Sequence, residues 1–464
     1  MRLVRTTDQR LTFAPQYIDS NELRFDRMSA DPIKVMQSAG GSFSFEFSYP
    51  EDNSPLSELY RSAFYNTWVN TPTWDNDGVA ASVITAVAAT TLTVIPQLSG
   101  DVAVGHLIKL AGFAAAANNT VARVTTAATS AGASIVCAGA TFTVDASPAA
   151  GAKVKVVGFE GAVGDIVATS AGLTSTLLDF RLLGLHVGQW IKIGGTLAVN
   201  QFPHAPNNDF CRVAAIAQNL LTLDNKPTGW AADAAGSGNN IRVWVGDTIT
   251  NGAIQTTVTL EVGFMDQATP TYIINTGMTV NTLDHNLTAR QTITGTFAFT
   301  GQGGGQSTAT VDSSPDAATT NRVMAAHANV GRLAEAGAPL VAPNWARSLT
   351  FQVNNNNRTV EDIASSTPQA INVGECTVTG RVESYFGDNV MLQKMYLGTP
   401  SSLSTRWQKD NQAVIWQFPR VTFRAGDPQA TGKNTDIALA LDFQAAMDPV
   451  TNSQVILDRF YYYE

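Results

Sequence analysis

Gly41-Ser-Phe-Ser-Phe-Glu-Phe-Ser-Tyr49 sets an aromatic ring at every second position and a small or charged residue between. Successive side chains of a strand point to opposite faces, so this period of two predicts a half-buried β-strand. The next residues, Glu51-Asp-Asn-Ser-Pro55, change the period. They are a helix-start signal, and Leu56, Leu59, Tyr60, Ala63 and Phe64 follow at helical spacing. The same succession returns far downstream. Glu375-Cys-Thr-Val-Thr-Gly-Arg-Val-Glu-Ser384 alternates, Asp388 is a candidate cap, and residues 389–398 read as a short helix ended by Gly398.

Later strands extend the parallel. Thr271-Tyr-Ile-Ile-Asn-Thr-Gly-Met-Thr-Val-Asn281 leads through Asp284-His-Asn286 to Arg290–Phe299. Its counterpart, Ala413–Phe423, leads to Asp436–Phe443. Each half reads as a strand pair, a helix and a second strand pair. The reading places a first module at residues 1–80 with 247–312 and a second at 346–464, joined by a linker over 313–345. Gly301–Gly305 opens the small-residue stretch leading into that linker, and residues 320–336 are compatible with a helix.

A closer repeat interrupts the first module. Val104-Gly-His-Leu-Ile-Lys-Leu-Ala-Gly112 reappears as Val187-Gly-Gln-Trp-Ile-Lys-Ile-Gly-Gly195, with Gly105 and Gly188 83 residues apart. Each copy continues to paired asparagines (Asn118-Asn119; Asn207-Asn208), a short strand, and a closing alternating run (Lys153–Val157; Ile241–Val245). Repeats at fixed spacing mark duplicated units. Residues 81–160 and 161–246 therefore read as two small, self-contained β-barrel-like domains that project outward from the module holding them. The fold class expected is mainly β: two β-sandwich modules, each with a short helix, plus two inserted repeat domains.

Composition narrows the function. The 464 residues are 44% apolar and only 14% charged, against about 25% charged in ordinary domains. A surface so poor in charge points toward assembly. The net charge is −9 and the pI about 5.1, whereas gripping nucleic acid by its phosphates requires a basic face. Cys137, Cys211 and Cys376 are distant and odd in number, so they read as small buried hydrophobes. Met1–Phe13 is basic without the apolar core of a signal peptide, and no run reaches the roughly 18 apolar residues of a membrane span. A soluble protein made in a cytoplasm is expected.

No catalytic, cofactor-binding or metal-ligating residues are assigned. His106, His186, His204, His285 and His327 are scattered, without an HxxxH pair. Asp75-Asn-Asp-Gly78 opens like a calcium loop, but its twelfth position is Ala86 where a bidentate glutamate is needed. Gly301–Gly305 lacks the Lys-Ser/Thr of a phosphate loop. The sequons at Asn118 and Asn286 matter only after secretion. An enzyme is not expected, and no cofactor.

The outer modules resemble a phage tail tube family, the major tail tube proteins of long non-contractile-tailed (siphovirus-type) phages. The resemblance rests on Glu22-Leu-Arg-Phe-Asp-Arg27 as an exposed strand, Gly41–Tyr49, Leu56–Leu59 and Phe64–Trp68. Further on it rests on Asn354–Asn357, Gly374–Gly380, Phe418-Pro-Arg420, Gly432–Asp436, Phe443-Gln-Ala445 and Asp448-Pro449. It covers roughly residues 15–80 and 255–464 and omits the central repeats. It implies a structural virion protein of the tail, assembled in the host cytoplasm into stacked rings. Its partners would be itself, the tape-measure protein, and the tail terminator and distal tail proteins. Double-stranded DNA would pass through the lumen without specific binding, on its way to ejection. It also implies about six modules around the lumen, so that a chain with two modules closes a pseudo-sixfold homotrimer, where single modules would need a homohexamer. The rival reading is a surface adhesin or carbohydrate-binding protein built of β domains. A β-rich glycan hydrolase comes third, for want of a carboxylate pair.

Overall fold

The computed structural model describes residues 1–464 apart from 27, 96–101, 127–133, 139–140, 235–237 and 429–431. Two runs of the chain build the same elements in the same order. The first comprises β1 (Thr12–Ile18), β2 (Ile33–Glu46), α1 (Pro55–Phe64), β3 (Val258–Phe264), β4 (Thr271–Thr288), β5 (Thr294–Thr300) and β6 (Gly303–Ser307). The second comprises β7 (Ala346–Asn354), β8 (Thr377–Tyr385), α2 (Val390–Leu397), β9 (Ser401–Lys409), β10 (Gln412–Ala425), β11 (Ala438–Ala445) and β12 (Ile456–Phe460).

Strand pairing repeats as well, antiparallel throughout. In the first run β1 pairs β2, β2 pairs β5, β5 pairs β4, and β4 pairs both β3 and β6. In the second, β7–β8, β8–β11, β11–β10, β10–β9 and β10–β12 pair correspondingly. Even the irregularities coincide. The register shift between Val280 and Thr282 recurs between Phe423 and Ala425, and that between Val258 and Leu260 recurs between Ser401 and Leu403. A bulge disrupts a ladder locally and re-aims the strand, so its recurrence aligns the two runs residue by residue. On that alignment Phe264 corresponds to Trp407 and Ile273 to Trp416.

The two runs are fused. The C-terminal half of β4 pairs with β7, from Thr282↔Asn354 to Thr288↔Ser348. One sheet therefore continues in the order β2–β5–β4–β7–β8–β11–β10. The hairpin β9–β10 folds back over the first run and closes a sandwich. Trp407 meets Phe47 at 4.6 Å and His285 at 5.2 Å, and Trp416 meets Tyr60 and Phe64, each at 5.7 Å. Between the layers lies α1, with Leu56, Leu59, Tyr60, Ala63 and Phe64 buried as their spacing demands. Ser54 Oγ accepts from Ser57 N at 3.2 Å and Pro55 occupies the first turn, where its missing N–H costs nothing.

Several expectations are corrected. Glu22–Asp26 is no strand but the tip of the β1–β2 hairpin, with Leu23 and Phe25 fully exposed; Arg27 lies outside the described residues. Asp284-His-Asn286 sits inside the 18-residue β4 rather than between two strands. Gly303–Gly305 begins β6 instead of a linker. The reason is steric: a Cβ at Gly304 would come within 2.3 Å of the Ile274 carbonyl oxygen, so glycine here permits close pairing. Within 313–345, a four-residue helix (Ala326–Asn329) runs into a strand, Val330–Glu335, that pairs β9.

The central repeats form a second sheet. Each copy has the same strand order, and the two join through their last strands, Lys153–Glu160 against Arg242–Val245. A Cβ at Gly158 would lie 2.0 Å from the Val243 carbonyl oxygen, so glycine allows this approach. The paired asparagines do identical work in both copies. Asn118 exchanges hydrogen bonds with the Thr143 backbone and Asn119 with that of Phe113; Asn207 does so with Ala231 and Asn208 with Phe202. Each amide thus satisfies a loop's backbone donor and acceptor, and the first of each pair, Asn118 and Asn207, does so fully buried.

These repeats dock on the sandwich. Trp190, Phe210 and Trp244 pack with Ala413, Ile415 and Phe460, and Tyr462 and Tyr463 cover Trp244 and Phe210 at 5.6 and 5.5 Å. Beside them a buried ion cluster joins four chain segments. Lys155 Nζ lies 2.7 Å from Asp52 and 2.8 Å from Asp247, while Arg459 lies 2.7 Å from Asp52 and 2.9 Å from Asp247.

Asp458, also in β12, is fully buried and accepts from Trp190 N at 2.9 Å. Burial pushes its carboxyl up to about 7, above the roughly 3.9 of an unfolded chain. A raised carboxyl supports the fold fully below the unfolded value and loses that support as pH climbs toward 7. Asp458→Asn keeps an acceptor for Trp190 and removes the charge. We expect it to raise the melting temperature by several degrees at pH 8 and to leave it unchanged near pH 4, as scanning calorimetry at both pH values would test.

Candidate functional site

Alternation gives the continuous sheet two unlike faces. Phe43, Phe45, Phe297, Leu283, Phe351, Val378, Leu441 and Phe443 point inward to the core. The opposite face is open. It presents Ser42 and Ser44 from β2, Thr294 and Thr296 from β5, and Asp284 and Asn286 from β4. Thr350 and Gln352 of β7, Thr379 and Arg381 of β8, and Ala440 and Asp442 of β11 carry it across the module boundary. Hydroxyls, amides and methyls dominate, and they form a shallow depression around Asp284, Thr296 and Gln352.

Charge on this face is sparse and compensated. Glu46, Asp284, Glu383 and Asp442 stand against Arg381 and Arg347, and the one lysine among the described residues of these strands is Lys34, at the far end of β2, which donates to Gln37 Oε1 at 2.7 Å. Arg381 pairs with Asp442 at 3.1 Å and Arg347 with Glu383 at 2.9 Å. Asp284 accepts from Gln352 Nε2 at 2.6 Å; burial raises its carboxyl, and the hydrogen bond opposes that. Ser44 and Thr296 share a hydrogen bond of 2.9 Å across the β2–β5 pair. At the far edge Arg424, the bulge residue of β10, is exposed. A polyanion sliding past the part of the face from Ser42 to Asp442 would meet arginines that are already paired with carboxylates.

Beneath the face the chain is rigidly packed. His285 is buried among Phe45, Phe47, Tyr60, Phe351, Trp407 and Trp416. Burial drives its pKa down to about 3, so the ring is neutral. The Thr294 carbonyl 3.2 Å from Nδ1 accepts, so Nδ1 carries the proton and Nε2 accepts from Tyr60 Oη at 3.0 Å.

The other residues weighed for chemistry are occupied in structure. Asn76 Oδ1 accepts from Val83 N and Ile84 N, and Asp75 pairs with Lys153 at 3.3 Å, so the Asp75–Gly78 turn pins a loop. His106 is buried in a strand, where burial lowers its pKa to about 4. Cys137 and Cys211 are buried and Cys376 half-buried, and burial raises all three thiols. Among the described residues no cluster of three His, Cys, Asp or Glu side chains is arranged to hold a metal. No helix among them is long and apolar enough to cross a membrane.

The face itself was visible in the sequence only as alternation. Ser42/Ser44, Thr294/Thr296 and Thr377/Thr379 signal a strand side with small polar residues, but not which side is open or that six strands share it.

A family model described as phage tail tube protein matches residues 3–445, a span that includes the central repeats. A search of curated proteins finds no match.

Proposed function

Since the chain belongs to the phage tail tube family, as a structural component of the virion tail, we propose that three copies close a ring of six modules. Residues 1–80 with 247–312 make one module, 346–464 the other, and 81–160 and 161–246 are domains carried on the outside. Rings stack into a tube, assembled in the host cytoplasm, and double-stranded DNA slides through it during ejection. The open face of the sheet lines the lumen. The tape-measure protein occupies that lumen first, and the tail terminator and distal tail proteins cap the two ends.

The observation that carries this reading is the β4–β7 ladder. Within one chain, a first-module strand hands the sheet to the second module. Beyond β10 the sheet has no such successor: β10 pairs β11 only from Val421 to Ala425, leaving Ala438–Leu441 unpaired on that side among the described residues. An open edge templates further pairing. The counterpart of β7 is the segment that pairs β2, residues 8–14. Residues 8–14 of the next copy therefore extend the sheet beyond Ala425. A head-to-tail contact of this kind closes into a ring when its rotation divides the circle, and closure removes every edge. Polar, charge-compensated walls suit the lumen, since a basic one would bind the phosphates and stall transit.

Electron microscopy of tube cross-sections averaged without imposed symmetry tests this. Three outward lobes per ring, one for each pair of inserted domains, are expected. Six equivalent lobes would refute it in favour of a homohexamer.

A further inference from the structure

Aligned residue by residue, the two modules differ in what they leave uncovered, and the differences are complementary. Phe64, at the end of α1, is 1% exposed; its counterpart Leu397, at the end of α2, is 77% exposed. Each is followed by a left-handed residue, Tyr65 and Gly398, which fixes the correspondence. Ile293 is fully buried and its counterpart Ile437 is 43% exposed. The pair is identified by matching hydrogen bonds, Phe47 N to Ile293 O and Phe386 N to Ile437 O. The receiving surface of the second module is thus bare where that of the first is covered.

The covering element shows the reverse. In the first module's place of cover sits β9–β10, whose Trp407 and Trp416 are fully buried. Their counterparts on β3–β4 are Phe264, 43% exposed, and Ile273, half-buried. A hairpin whose Phe264 and Ile273 line an open pocket with Phe13 and Gln37, and a helix whose Leu397 is exposed, thus occur on one chain. Exposed apolar patches of this kind mark contact surfaces.

We propose that the hairpin β3–β4 of one copy covers α2 of the preceding copy, as β9–β10 covers α1 within the chain. This rests on the ring reading above and names its lateral contact. The occupant is a second copy because the chain already contains the complex: the Phe64–Trp416 contact at 5.7 Å becomes Leu397 against Ile273 of the next copy, and the Phe47–Trp407 contact at 4.6 Å becomes Phe386 against Phe264. The contact is heterologous, since the two surfaces differ, and so it propagates in one direction around the ring.

Two variants made separately in a Cys376→Ser background, Leu397→Cys and Ile273→Cys, test it. Mixed before assembly and treated with a short bis-maleimide, they should give a covalent two-chain species that neither yields alone. Phe264→Glu, at an exposed site, should leave the monomer's melting temperature unchanged and reduce assembly more than tenfold. Rings of three chains that form without the two-chain species, or that assemble normally with Phe264→Glu, overturn the contact and leave the ring reading standing. Wild-type protein that makes six-chain rings, or no rings, overturns the ring reading and this contact together.

Discussion

Arg459→Ala is expected to cost about 3–5 kcal/mol of stability, because it leaves a buried carboxylate pair under-compensated. Arg459 Nε lies 2.9 Å from Asp247 and Nη2 2.7 Å from Asp52, while Nη1 donates to Ser57 Oγ at 2.6 Å and to the Pro50 carbonyl at 3.0 Å. The guanidinium also stacks over Trp68 at 4.0 Å. Burial alone would raise the Asp52 carboxyl, but Lys155, Arg459 and Lys153 together hold it well below its usual range. A carboxyl lowered in this way supports the fold above its unfolded pKa near 4 and loses that support as pH falls. The deficit of Arg459→Ala should therefore shrink toward pH 3. Because the cluster spans the start of α1, the repeat strand with Lys155, the strand Asp247–Thr250 and β12, its loss should loosen the docked repeats as well. Denaturant titration at pH 7.5 and pH 3, with limited proteolysis of the repeats, measures both. A change under 1 kcal/mol at pH 7.5 would show that water replaces the missing cation at no cost.

Thr296→Lys with Thr350→Lys is expected to slow DNA release at least tenfold at low salt without preventing tail assembly. Both residues lie on the open face, one in each module, and neither side chain belongs to the core. Repeated in every ring, the new ammonium groups would line the path of a duplex carrying one charge per ~1.7 Å of axis. Each phosphate held displaces counterions, so the delay should fade steeply as ionic strength rises. Release kinetics from purified virions triggered at several salt concentrations would decide it. Normal rates at low salt would mean that this face does not line the lumen.

Much of the fold could be read from local pattern. The alternation of Gly41–Tyr49 predicted the C-terminal part of β2, and Ser54-Pro55 with Leu56, Leu59, Tyr60, Ala63 and Phe64 predicted α1, because core-facing residues must recur at the period of their element. The asparagine pairs at 118–119 and 207–208 marked the inner repeat because an amide that both donates to and accepts from one loop's backbone has few substitutes. The glycines at 303–305 suggest flexibility, yet they lie in a strand, and at Gly304 the neighbouring strand leaves no room for a side chain. Reading also failed at Glu22–Asp26, whose exposed residues carry no periodic signal of a partner.

What the sequence alone determined is most of the elements, their twofold recurrence and the mainly β class, since propensity, capping and periodicity act over a few residues. Only the tertiary structure decided how the halves combine. The β4–β7 ladder, the cover of α1 by Trp407 and Trp416, and the cluster of Asp52, Lys155, Asp247 and Arg459 join residues far apart in the chain. Backbone pairing is indifferent to side-chain identity, and a tryptophan packs equally well against its own module or the next. Which partner each edge and each apolar face finds is therefore set by geometry across the whole chain, and no local pattern of residues encodes it.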